Sequence, residues 1–208
     1  MSTEDPVLEE FRRHARLGDD PTPVDVVEAI RRLPYGRPSR RTVEAAVSEW
    51  RASCSMKHAL LARYVDARFP EIGAHLVHRV YRLVPDVAAG TFGASIAGHV
   101  PPEGIVDVHT YAVLVVEGRR IQVDVTFPGP AWDGRSDMPL ACADGDDVDA
   151  SKDPWEQKDD LVRRHCDPLL REPFLAALAA LDRRPEGSGR ARGRPNDGRP
   201  GGPLHSSP

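Results

Sequence analysis

The stretch His109-Thr110-Tyr111-Ala112-Val113-Leu114-Val115-Val116-Glu117-Gly118-Arg119-Arg120-Ile121-Gln122-Val123-Asp124 reads as two strands folded about a tight turn. Two runs rich in β-branched residues, Ile105–Val116 and Arg120–Phe127, flank Glu117-Gly118, a strong hairpin signal. A two-residue loop sets Val116 opposite Arg119, which brings Tyr111 opposite Asp124. His109 then lies two places further along on the same sheet face, a diagonal that side chains of this length can span. A four-residue loop keeps that parity, whereas a three-residue loop would put His109 and Asp124 on opposite faces.

Upstream of this hairpin the pattern is helical. Pro6–Leu17, Val24–Leu33 and Thr42–Trp50 carry helical apolar spacing. A longer helix is predicted from Cys54 to Phe69, with Leu60, Leu61, Tyr64, Val65 and Phe69 as its buried stripe and Pro70 as its stop. Alternation then predicts a strand over Ala74–Val84, and Ala88–Gly104 reads as a Gly-, Ala- and Pro-containing connection, of which Gly90–Gly104, just before the His109 strand, is the expected substrate lip. After Pro128-Gly129-Pro130 a long acidic loop is expected to about Pro154. Two closing helices follow, near Trp155–Cys166 and Pro168–Leu181, the second restarting at Pro173. Helices, then an antiparallel sheet, then helices again make the fold class α+β.

Cys54 opens its helix, where unpaired N–H groups and partial positive charge favour a thiolate and can receive an oxyanion. An imidazole beside it completes activation, and a carboxylate on the far ring nitrogen fixes the tautomer. Cys54, His109 and Asp124 are the candidate nucleophile, general base and orienting carboxylate.

The segment Ser53-Cys54-Ser55-Met56-Lys57-His58-Ala59-Leu60-Leu61 is similar to the nucleophile helix of the transglutaminase-like cysteine enzyme superfamily. The His109–Asp124 segment resembles that family's His-strand, turn and Asp-strand unit. The order Cys, His, Asp and the fifteen-residue step from His to Asp both match. The resemblance spans about Thr42 to Phe127. It implies a papain-like core, with a nucleophile helix packed on an antiparallel β-sheet. It also implies attack by Cys54 on an amide or thioester carbonyl, giving an acyl-enzyme that an amine or water resolves. The sequence departs from the pattern at Tyr111, where the family's aromatic residue is displaced, and at Arg120-Ile121, where a Trp is common. The Arg-Gly-Gly-x-Cys arrangement of arylamine N-acetyltransferases is absent.

The expected activity is therefore thiol-dependent acyl transfer or amide formation on a peptide or small-molecule donor, with an amine or water as acceptor. The alternatives are a cysteine peptidase or amidase using the same triad, and a non-catalytic binding module that keeps the fold. His58, one helical turn after Cys54, and Tyr111 are the candidate substrate contacts, while Lys57 reads as a solvated lysine. No cofactor or metal is expected. His75 and His78 would point to opposite faces of a strand, and Asp144-Gly145-Asp146-Asp147-Val148-Asp149 lacks the spacing and terminal Glu of a calcium loop.

Charge and composition narrow the partners. The 208 residues carry a net charge of −4, but residues 183–208 carry +4, so the body is distinctly acidic. An acidic body argues against general nucleic-acid binding. The longest purely apolar run, Phe174–Leu181, is far shorter than a membrane span. An acidic N-terminus and three cysteines fit a reduced, cytoplasmic setting. The expected organisation is an N-terminal helical extension over 1–38, a catalytic domain over 39–182, and a disordered Arg-, Gly- and Pro-rich tail over 183–208.

Overall fold

At the turn of the hairpin, Glu117 and Gly118 both adopt positive φ (50° and 78°), the twist that a primed turn needs. Val116 pairs with Arg119 and Ala112 with Val123, so the two-residue loop and the register expected from the sequence are both present. The computed structural model describes residues 5–181; the expected disordered tail lies outside them.

Along the chain the described elements run α1 (Pro6–Ala15), α2 (Pro23–Arg31), α3 (Val43–Ser48), α4 (Cys54–Arg68), β1 (Gly73–Leu83), α5 (Pro85–Phe92), α6 (Ala94–Ala97), β2 (Ile105–Val116), β3 (Arg119–Val123), β4 (Gly145–Asp149), α7 (Pro154–His165) and α8 (Pro168–Leu181). The strands form one antiparallel sheet in the order β3-β2-β1-β4. The class is α+β, as the run of helices, strands and helices implied.

Helix α4 lies against β2 and β1, with α2 and α3 on its other sides. Enclosed in this way, it buries Met56, Leu60, Leu61, Tyr64 and Val65, and also the polar Ser55, Lys57 and His58. The expected solvated Lys57 is overturned for this reason. Its side chain is fully buried, and Nζ donates to the carbonyls of Arg31 at 3.1 Å and Thr126 at 2.8 Å. A cation is well placed there, because Arg31 ends α2 and its carbonyl belongs to the negative end of that helix. Phe11, Val26, Val27, Ile30 and Leu33 from α1, α2 and the turn after α2 share one apolar core with α4, β2 and β3. No break in packing falls at residue 38.

Three local expectations change. The connection before β2 holds the helices α5 and α6, because Ala88, Ile96 and Val100 have an apolar partner in Phe174 and Leu178 of α8. The acidic loop contains β4, a strand that its Asp- and Gly-rich composition disguises. It pairs with β1 where Arg79 grips the Asp147 carboxylate through two hydrogen bonds, and a Cβ at Gly145 would strike the backbone at Val80 and Tyr81. Helix α8 runs through Pro173 without restarting.

Candidate active site

Cys54, His109 and Asp124 meet at one end of the sheet. The link Tyr35↔Ala52, a single parallel bridge with bonds from Ala52 N–H to the Pro34 carbonyl and from Gly36 N–H to the Ala52 carbonyl, fixes the chain just before Cys54. Ser53 occupies the N-cap position of α4 without a side-chain capping bond, and the first intrahelical bond runs from Lys57 N–H to the Ser53 carbonyl. The N–H groups of Cys54, Ser55 and Met56 are thus not spent inside the helix.

His109 Nε2 donates to Asp124 Oδ2 at 2.9 Å. Asp124 follows the last residue of β3, and backbone donors hold its carboxylate: Thr126 N–H to Oδ1 at 2.8 Å and Ala141 N–H to Oδ2 at 2.7 Å. Burial alone would raise this carboxyl group, but the His109 partner and those donors hold it well below the usual range. With Nε2 engaged, Nδ1 is the ring nitrogen left for the Cys54 sulfur, and the two groups act on each other's charge. Burial works against the imidazolium, yet Asp124 and the facing sulfur together raise His109 to about 10.

The sulfur behaves in the opposite sense. Burial would raise the Cys54 thiol, but Lys158, followed by His109, lowers it to about 6. At Cys142 and Cys166 burial outweighs the nearby cations, Arg79 for the first and Arg171 and Lys158 for the second, and pushes them up to about 12 and about 11. The site therefore favours a thiolate facing an imidazolium.

Lys158 was not among the residues expected from the sequence. It comes from α7, is 6% exposed, and its Nζ lies 3.7 Å from Cys54 Sγ. Nζ also donates to Ser55 Oγ and Thr110 Oγ1, each at 2.8 Å. Behind Thr110 stands His78, fully buried, with Nε2–H donating to the Pro154 carbonyl at 2.9 Å and Nδ1 accepting from the Thr110 hydroxyl at 3.1 Å. Nothing local in the sequence marks Lys158, which is 104 residues from Cys54.

The two expected substrate contacts lie elsewhere. His58 has no exposed surface, its Nδ1–H donates to the Cys54 carbonyl at 2.7 Å, and its Nε2 accepts from Val125 N–H at 3.0 Å. Both ring nitrogens are occupied, so His58 ties the start of α4 to the hairpin rather than meeting substrate. Burial lowers it to about 4, and its 3.5 Å approach to Asp124 is that of a neutral ring. Tyr111 packs with Val77 and Val113 beneath the Arg79 guanidinium, 5.6 Å from its ring centre, and does not line the cavity at Cys54.

Two cavities flank the triad. One, of about 590 Å³, is lined by Cys54, Ser55, Lys158, Asp107 and Tyr35 among others. The other, of about 660 Å³, is mainly apolar, lined by Phe92, Phe127, Trp132, Met138 and Leu178, and touches Asp124. The rings of Tyr35 and Phe127, 5.1 Å apart, stand between them, one ring on each side. Among the described residues no three of His, Cys, Asp and Glu are grouped to hold a metal, and no helix is long and apolar enough to cross a membrane. A scan against protein-family models and searches of curated proteins and solved structures each return no match.

Proposed function

We propose that this chain is a thiol-dependent acyl-transfer enzyme with a papain-like, transglutaminase-like core. The observation that carries the reading is the buried 2.9 Å hydrogen bond from His109 to Asp124, with the imidazole and the Cys54 sulfur at the first turn of α4 close enough to act on each other's charge. A buried carboxylate that fixes an imidazole, which in turn faces a thiol at a helix start, is the arrangement that nucleophilic acyl chemistry requires.

The Cys54 thiolate attacks the carbonyl of an amide or thioester donor, forming the S–C bond as the carbonyl electrons move to oxygen. The unspent N–H groups at the start of α4 are suited to receive that oxyanion. His109 gives its Nδ1 proton to the leaving amine or thiol, which departs as the carbonyl re-forms. Asp124 holds the ring in register throughout and keeps its charge. An incoming amine, or water, then attacks the thioester while His109 takes its proton, and the sulfur leaves with the electron pair of the broken C–S bond. The cavity at Cys54 mixes charged and apolar walls, which suits a peptide or a small polar donor.

An activated ester tests this directly. Incubated with p-nitrophenyl acetate, the protein is expected to take up one acetyl group at Cys54 well before Cys142 or Cys166, read by peptide mass spectrometry. His109→Ala should slow that acylation by about 100-fold or more with the melting curve retained. Faster release by added amines than by water supports transfer, and the reverse makes the enzyme a hydrolase. Equal acetylation of all three cysteines would remove the nucleophile assignment and leave a binding module.

A further inference from the structure

Lys158 is a buried cation whose Nζ hydrogen bonds end on two hydroxyls and on Cys54 sulfur. Around the same cavity each arginine already holds a carboxylate: Arg37 with Glu172 at 2.9 Å, Arg41 with Asp159 at 2.7 Å, and Arg171 with Asp107 at 2.5 Å. The anion left to face Lys158 among the described residues is the Cys54 thiolate, and a buried charge needs such a partner.

The anchoring is directional. The His78 ring donates from Nε2 to the Pro154 carbonyl, so its Nδ1 takes the Thr110 proton, and the Thr110 oxygen is turned toward the Lys158 ammonium. Ser55, beside the nucleophile on α4, takes a second ammonium proton. The third is aimed at Sγ. The chain from Pro154 to Cys54 thus spans α7, β1, β2 and α4, and every member of it is at least half-buried.

We propose that Lys158 is the standing counter-ion of Cys54, holding the sulfur ionised whether or not His109 carries a proton, and drawing it out of the acyl-enzyme as a thiolate. The proposal rests on the acyl-transfer reading of the triad. Its consequence is a division of labour. His109 moves protons, while the charge of the nucleophile is held by a group that never needs to release one. Acylation removes the negative charge and leaves Lys158 facing a neutral thioester; breaking the C–S bond returns the electron pair to sulfur and restores the pair. Lys158 therefore favours the breakdown of the acyl-enzyme, and serves its formation only by keeping the sulfur in the nucleophilic thiolate form.

The other groups that face the sulfur do not replace it. Asp107, from β2, opposes the thiolate, Tyr35, from the segment before α3, is kept a neutral phenol by burial, His78 of β1 is neutral behind Thr110, and the Arg171 charge is taken by Asp107. That leaves His109 and Lys158 as the two supports, which mutation separates.

The experiment is the rate of Cys54 alkylation by iodoacetamide against pH in the full chain, with Cys142 and Cys166 as internal references. Wild type is expected to show an inflection near 6. Lys158→Met should slow alkylation at pH 6 by about tenfold or more and move the inflection upward, and Lys158→Arg should restore most of the rate. His109→Asn should keep an inflection below the ordinary thiol value of about 8.5. After a pulse of p-nitrophenyl acetate, the acetyl-enzyme of Lys158→Met should outlive that of wild type. A Lys158→Met protein with a native melt and the wild-type profile would overturn the proposal and leave the triad intact. His109→Asn alone bringing the inflection to about 8.5 overturns it too. An ordinary thiol in wild type would instead sink the nucleophile itself. Should Lys158→Met not fold, Thr110→Val removes one anchoring hydroxyl and must shift the profile upward, or the proposal fails.

Discussion

His58 and His78 are both fully buried, and burial lowers each to about 4 from an ordinary 6.5. As pH falls below about 6.5 the unfolded chain takes up protons that these two rings refuse. Stability present above that pH is therefore lost progressively as pH falls through about 4. Together they should remove about 2–3 kcal/mol between pH 6.5 and 5. Urea unfolding at the two pH values measures this, and His78→Gln should roughly halve the dependence. His109 and Cys54 have the opposite pattern. One gains a proton and the other loses one over the neutral range, so as a pair they leave stability nearly flat there. Their residue types and chain order were legible in the sequence. The role of His58 was not, because helical spacing places it one turn from Cys54 without saying that α4 is enclosed on its far side.

The β2–β3 hairpin is the element on which the site depends. Its register follows from a loop of two residues and from alternation along both strands, features that are local in sequence, and this is why His109 and Asp124 could be paired before any fold was known. Gly118 sits at φ 78° with open space around it, so a side chain there meets backbone strain rather than collision. Gly118→Ala should cost about 1–2 kcal/mol, read from urea melts, and should leave the pH profile of Cys54 alkylation unchanged, because the register does not move. A lost profile would mean that the turn, and not the pairing along the strands, sets where Asp124 sits. The strand β4 was not legible in the same way. Its backbone is extended because β1 offers an edge and Arg79 a partner for Asp147, neither of which lies within the acidic segment.

On the scale of the whole molecule, the first two helices are part of the core that carries the nucleophile. Phe11, Val26, Val27 and Ile30 have no exposed surface and pack with Leu60, Leu61 and Tyr64 of α4, while Lys57 reaches back to the end of α2. A chain beginning at residue 39 is therefore expected to show no cooperative thermal transition by circular dichroism; a sharp transition would make residues 1–38 a dispensable extension. The sequence by itself determined the helix that starts at Cys54, the hairpin with its register, and the pairing of His109 with Asp124. These depend on periodicity, turn chemistry and parity, which are short-range. Only the tertiary structure decided that Lys158 faces the sulfur, that Lys57 and His58 are interior, and that an acidic loop closes the sheet. Each of those outcomes is set by which surfaces a distant segment covers, and burial, not residue type, decides whether a lysine or histidine is solvated, neutral or paired.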